Sequence, residues 1–376
     1  MTGGSYDDVV IGAGIVGLAH AYHLARRGRR VLVIERHPRA QGASVRNFGM
    51  LWPIGQPNGD LRLLALYSRT IWLDVLTEAG IWHEKSGSLH VAYADDEARV
   101  LTEFAQDACR GGFPCKLLDP PAVLKLCTRI KPEGLQLALW SPNETCIDPR
   151  ATLTQLPRWL ERSLGVCFAF DTQVTGCRPQ RVAAGARRWE AERIWVCAGD
   201  ELQTLFGPEL QRLGLIRCKL QMMRSEPIDG RLGPMMAAGL ALPHYKSFTN
   251  CSGLAALTSR LEVEFPDHVR FGIRPMVSQD GSGDLLIGAS HEYGAAIEPF
   301  DKPSIENLIL ELVQRFLDLP ELRLKSRWHG LYVKHPSEPY VVVNPEDGVA
   351  VVTGLGAHGM TMSFGVAERV VQQTLG

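Results

Sequence analysis

The 376-residue chain predicts an α/β fold: a parallel sheet with crossover helices, built from separated stretches of sequence, and a mainly antiparallel α+β unit inserted between them. Three observations carry this. The apolar run Asp7-Asp8-Val9-Val10-Ile11 leads into Gly12, Gly14 and Gly17 and a helix-like segment, and a second apolar strand, Val31-Leu32-Val33-Ile34, ends in Glu35. The chain closes on the same logic, with strand 349–353 giving way to Gly354, Gly356 and Gly359 and a last helix. From about Leu213 to Val333 the pattern between these ends changes to strands.

The opening unit has the parts needed to hold an ADP group. Gly12 allows the tight turn, Gly14 lets the backbone approach a pyrophosphate, and Gly17 permits close helix–strand packing. The new helix N-terminus, at Ile15 and Val16, offers unpaired N–H groups to phosphates, and Glu35 stands where an acid accepts hydrogen bonds from the ribose.

Next comes a polar, glycine-bounded loop, residues 42–49, and an apolar periodicity that predicts a helix over 61–79. A strand at 87–92 and a helix over 95–106 follow. Asp148 and Pro149 are N-cap and first helical residue of the next helix, and residues 193–198 form a buried strand ending at Ala198 and Gly199. A hairpin, 269–277 with 284–291, is expected around Asp280-Gly281-Ser282-Gly283. A helix over 304–316 interrupts the later strands. The first unit is assigned 1–85, 146–212 and 335–376, and the inserted unit 86–145 and 213–334.

Bulk properties narrow the function. Apolar content of 45%, charged content of 22% and a net charge of -1 are ordinary for a globular protein and give no reason to expect a nucleic-acid or acidic-membrane partner. No apolar run reaches the ~18 residues that span a bilayer. The first strand begins within a few residues of Met1, leaving no room for a signal peptide, so a cytoplasmic location is expected. The 9 cysteines have no CxxC spacing, so they are read as reduced thiols rather than a zinc site.

Glycines 12, 14 and 17 with Glu35, the Gly42-Ala43-Ser44 loop, Asp148-Pro149-Arg150, Ala198-Gly199 and the Gly354-x-Gly356-x-His358-Gly359 ending together resemble the D-amino-acid oxidase superfamily of FAD-dependent oxidoreductases, which includes glycine and sarcosine oxidases. The resemblance covers essentially the whole chain. It implies a Rossmann-type FAD-binding domain, with the C-terminal turn facing the flavin ring near the edge where negative charge gathers on reduction. Arg36, Ser44, Arg46, Asn47, Val174, Ala198, Gly199, Met360 and Thr361 join the glycines, Ile15, Val16, Glu35 and His358 as cofactor-binding candidates. Two segments, Arg46 to Pro57 and Ser290-His291-Glu292-Tyr293-Gly294, resemble a narrower subgroup associated with aminophosphonates.

Departures from the family pattern matter as much. The cysteine that tethers FAD in sarcosine oxidases falls at Gly330, which implies non-covalent FAD. The familiar carboxylate anchors fall at Gly49, Thr361 and Tyr332, none of which is cationic. A buried anion must be paired, so a different acid group held by different donors is expected. Arg274, His291, Tyr332 and Lys219 are the candidates for substrate and redox roles. Arg274 is read as facing Ser290 or His291 and able to grip a phosphonate bidentately, against an exposed strand arginine. His291 and Tyr332 compete with structural or core roles, and Lys219 with a surface position. Lys334, His335, Tyr245 and Lys246 are secondary candidates.

The implied reaction is oxidation of an amine C–N bond. Hydride passes from the α-carbon to flavin N5, water hydrolyses the resulting imine, and O2 or an electron carrier takes the electrons. A 2-hydroxy-acid or D-amino acid dehydrogenase, and a flavin-binding protein without turnover, are the alternatives.

Overall fold

Strand Thr2–Ile11 lies in the middle of an eight-stranded sheet, with Val31–Ile34 parallel on one side and Arg187–Val196 parallel on the other. A computed structural model describes residues 2–294 and 296–376. Val349–Thr353 adds a further parallel strand beside Arg187–Val196. Strands from the start, middle and end of the sequence thus meet through residues 9–11, 31–34, 194–196 and 349–353, each a short run buried on both faces. Helices Ile15–Arg26, Pro149–Leu164 and Gly359–Leu375 pack on one face, where the Trp72 and Phe364 rings meet with centroids 4.8 Å apart. Asp148 caps its helix as the sequence predicts, its Oδ1 accepting from the N–H groups of Arg150 at 2.9 Å and Ala151 at 3.1 Å.

The second sheet has nine strands centred on Ile216–Pro227, which pairs antiparallel with Asp284–Gly288, Glu292–Gly294 and Leu324–Lys334. Met235–Ala238 runs parallel to Ser88–Ala92, so the sheet is mixed. Helices Asp95–Arg110, Leu254–Glu264 and Pro303–Phe316 lay apolar faces on its core.

The structure corrects the hairpin. Its strands are Met276–Gln279 and Asp284–Gly288 only. Val269 lies in a short helix, Pro266–Arg270, where Pro266 pre-sets the first turn. The preceding helix, Leu254–Glu264, also falls in a stretch expected to be strands; it buries Leu257 and Leu261, one turn apart. Arg274 pairs with Ala289 rather than with Ser290 or His291, each N–H donating to the other's carbonyl at 2.8 Å. Among the described residues no helix is long and apolar enough to cross a membrane, and no group of three or more His, Cys, Asp or Glu is placed to hold a metal ion.

Candidate active site

The nucleotide end is built as the glycines require. Gly12 has φ +106°, and a side chain there would meet the Cys197 carbonyl oxygen at 2.4 Å. At Gly17 a Cβ would lie 2.0 Å from the Gly12 carbonyl oxygen, so helix and strand touch only because both residues lack side chains. Gly14 is more open, with Ser44 Oγ 3.2 Å from such a Cβ, and the Ser44 hydroxyl accepts the Ile15 N–H at 3.0 Å. Glu35 is buried, its carboxylate accepting the Ala13 N–H at 2.9 Å and the His37 N–H at 3.0 Å.

From there a single cleft enclosing about 280 Å³ runs between the two sheets. Gly12, Gly14, Ile15, Val16, Glu35, Arg36, Ser44, Arg46, Asn47 and Val174 line it, with Ala198, Gly199, Gly354, Gly356, His358, Gly359, Met360 and Thr361. Gly17 stands behind the wall. Asn47 spends its polar atoms on the loop itself, donating to the carbonyls of Ala43 at 3.1 Å and Ser44 at 2.9 Å and accepting from Gly49 N–H at 2.8 Å. Arg46 donates to the His329 carbonyl at 3.1 Å. Arg36 reaches Glu201 at 3.3 Å.

At the far end the cleft meets Arg274, His291 and Tyr332, with walls of Trp52, Tyr245, Met222 and Met276. The Arg274 guanidinium lies 5.9 Å from the Tyr245 ring centre, and its Nη2 is 3.4 Å from the Tyr293 hydroxyl. Its buried Nε has no hydrogen-bond partner, and no carboxylate lies within ion-pair distance among the described residues. His291 is buried, and its Nδ1 lies 3.0 Å from the Gly272 carbonyl oxygen. That contact requires Nδ1–H, so Nε2 carries the lone pair. Burial first, then the charges of Arg274, His244 and Lys334, hold His291 well below the usual histidine range, so the ring is neutral. Burial, with Cys218 and Tyr293 nearby, pushes the Tyr332 phenol well above its ordinary value and keeps it a hydrogen-bond donor. His358 Nδ1 lies 2.7 Å from the Gln56 amide nitrogen, and burial followed by Arg274, Lys246 and Lys334 pulls its pKa down to about 4.

Lys219 is a correction. Side chains alternate along strand Ile216–Pro227, so Leu220 and Met222 face the cleft while Lys219 points to the opposite side. There it is 1% exposed, ion-paired with Asp301 at 2.9 Å and donating to the Glu298 carbonyl at 3.0 Å. It pins loop 298–302 rather than lining the cleft.

The anchor positions are also explained. Gly49 has φ +69°, and a Cβ there would sit 2.0 Å from the Ile147 carbonyl oxygen, so no arginine fits. Thr361 is buried, its Oγ1 accepting the Trp52 N–H at 2.9 Å. Met222, Met276 and Gln56 escaped the sequence reading, although the alternation Leu220–Met222 beside Lys219 carried the signal for the first.

An ADP-shaped cradle continuing into an apolar, cation-bearing chamber defines the class: an oxidoreductase that holds a dinucleotide cofactor against a small substrate. The glycine cradle and Glu35 fit the FAD ADP half, and the uninterrupted cleft leads toward the chamber. The FAD dependent oxidoreductase (DAO) family model matches residues 7–373, and the chain belongs to that FAD-dependent family. It is 22% identical to a glycine oxidase of Bacillus licheniformis over 99% of this chain and 93% of the relative. A D-amino acid dehydrogenase 2 of Mesorhizobium japonicum is 26% identical over 54% of this chain and 62% of its own. The solved glycine oxidase of Bacillus cereus superposes with a TM-score of 0.80 at 19% identity, covering 98% of this chain and 95% of that one.

Proposed function

We propose that this enzyme oxidises the C–N bond of a small amine that carries an acid group, and that the acid group is a phosphonate, as in N-methyl-2-aminoethylphosphonate. The observation that carries this reading is Arg274: a cation at the cleft end, with a buried unpartnered Nε and no carboxylate within ion-pair distance among the described residues. Its planar fork matches two oxygens of an acid group. The relatives named as oxidases and dehydrogenases of amino acids support amine oxidation, and the absence of room at Gly49 supports an acid group gripped differently from theirs.

FAD, when bound, supplies a two-electron acceptor for the substrate's C–H bond. Gly14, Ile15, Glu35 and Ser44 would hold its ADP half, and the segment Gly354–Met360 its ring end. Gly330 offers no thiol, so the cofactor is held without a covalent tether. Arg274 and the Tyr332 hydroxyl bind the acid group, while Trp52, Met222 and Met276 exclude water. His291, kept neutral by burial, presents its Nε2 lone pair as a hydrogen-bond acceptor to the amine N–H, and the substrate binds as the deprotonated amine.

Anaerobic addition of candidate substrates tests the proposal. N-methyl-2-aminoethylphosphonate should bleach the flavin band fastest, ahead of sarcosine and glycine. Bleaching by lactate and not by any amine would refute amine oxidation; bleaching by sarcosine alone would refute the phosphonate. Reopening the bleached sample to air and assaying peroxide then identifies the acceptor.

A further inference from the structure

The face of the second sheet that lines the cleft carries a second cation. Side chains alternate along both strands, and Lys334 stands opposite Ile216 as Tyr332 stands opposite Cys218; Ile216 and Cys218 share a face with the cleft-lining Leu220 and Met222, so Lys334 lies on that face too. The neighbouring strands extend the row: Cys218 stands directly opposite both Tyr332 and Tyr293, which places all three on that face. Tyr293 connects the two cations. Its ring seats Lys334, with Nζ 4.1 Å from the ring centre, and its hydroxyl lies 3.4 Å from Arg274 Nη2. Neither Arg274 nor Lys334 has a carboxylate within ion-pair distance among the described residues. The positive field reaches the chamber, since Arg274 and Lys334 both depress His291 and His358 while no acid raises either ring.

We infer that Lys334, seated on Tyr293 beside Arg274, makes this subsite select a doubly charged acid group over a singly charged one. The inference rests on the proposed amine oxidation only for its kinetic arm. Two cations without a carboxylate partner, Lys334 on the Tyr293 ring and Arg274 at its hydroxyl, repel each other, and an acid group with two negative charges relieves both. A sulfonate or carboxylate of similar size relieves one. A cation–π seat holds an ammonium while leaving its N–H donors free for an anion. Tyr293 is 44% exposed, so the ring that seats Lys334 is open to solvent on one side.

The test uses the FAD-loaded enzyme at mildly alkaline pH, where a phosphonate carries two charges. Binding of methylphosphonate and of methanesulfonate is read from the flavin difference spectrum, in wild type, Lys334→Gln and Lys334→Arg. Wild type should bind methylphosphonate more tightly; Lys334→Gln should lose about tenfold for methylphosphonate and little for methanesulfonate, and Lys334→Arg should restore the preference. The same ratio should appear in kcat/KM for N-methyl-2-aminoethylphosphonate against N-methyltaurine. Equal losses for both anions in Lys334→Gln, or a wild type that does not discriminate, would overturn the inference. Failure of the proposed reaction looks different: no amine bleaches the flavin, while the anion preference and its dependence on Lys334 persist.

Discussion

Gly17→Ala is the sharpest perturbation of the candidate cofactor cradle. The added Cβ would lie 2.0 Å from the Gly12 carbonyl oxygen and 3.2 Å from Val10 Cγ1, against ordinary contact that begins near 3.4 Å. Both Gly12 oxygen and the helix are backbone, so no side chain can swing aside, and helix Ile15–Arg26 must back away by about 1.4 Å. Overpacking of this kind costs about 1–3 kcal/mol of stability. A shift of that size also carries the first N–H groups of the helix out of hydrogen-bond range of a phosphate. Each charge-assisted bond lost is worth about 1.5–3 kcal/mol, so FAD affinity should fall by at least tenfold. Gly14→Ala is the control, because its Cβ meets only Ser44 Oγ at 3.2 Å. It should weaken FAD while leaving the apoprotein's melting temperature nearly unchanged. Fluorescence titration with FAD and thermal melts of both apoproteins decide the matter. A Gly17→Ala protein with wild-type melting temperature and FAD affinity would refute the packing argument.

Arg274→Met should lower kcat/KM for the acid-bearing amine by about 10- to 150-fold, mostly through KM, because a charge-assisted contact is removed; steady-state kinetics would expose an unchanged KM. Lys219→Met should lower the melting temperature without altering the ranking of substrates, since that lysine ties down loop 298–302 away from the cleft; a changed ranking would return it to the site. Acid should destabilise the protein in the window below pH 6.5. His20 is pulled down to about 4 and His90 to about 3, both by burial, so the unfolded chain binds protons there that the native state does not. Stability is complete above the unfolded value and falls with pH by about 1.4 kcal/mol per histidine per unit down to the folded values. Urea midpoints measured from pH 7 to 5 should therefore decline, and replacing His90 with Phe should flatten the decline.

The geometry of the glycine turn was legible because it is local in sequence: Gly12, Gly14, Gly17 and Glu35 fall within one strand–turn–helix–strand unit, and Asp148-Pro149 caps its helix by short-range rules. The chamber was less so. Arg274 and His291 could be singled out, yet their placement depends on the register Arg274 to Ala289, which a hairpin read as 269–277 with 284–291 could not supply. Lys219 shows the same limit, since only the alternation of the whole strand, with Leu220 and Met222 facing inward, decides that it points away. The helix Leu254–Glu264 was hidden because few of its residues are buried, so its apolar stripe is short. Gln56 meets His358 across 302 positions of sequence, a contact that only the closed fold brings about.

The proposed specificity depends on where the acid group sits. A crystal structure of the FAD-loaded enzyme soaked with methylphosphonate measures this directly. Phosphonate oxygens are expected within hydrogen-bond distance of the Arg274 guanidinium and the Tyr332 hydroxyl, at the chamber end of the cleft. Phosphonate density at Arg46 or elsewhere along the cleft, with Arg274 uncontacted, would contradict it.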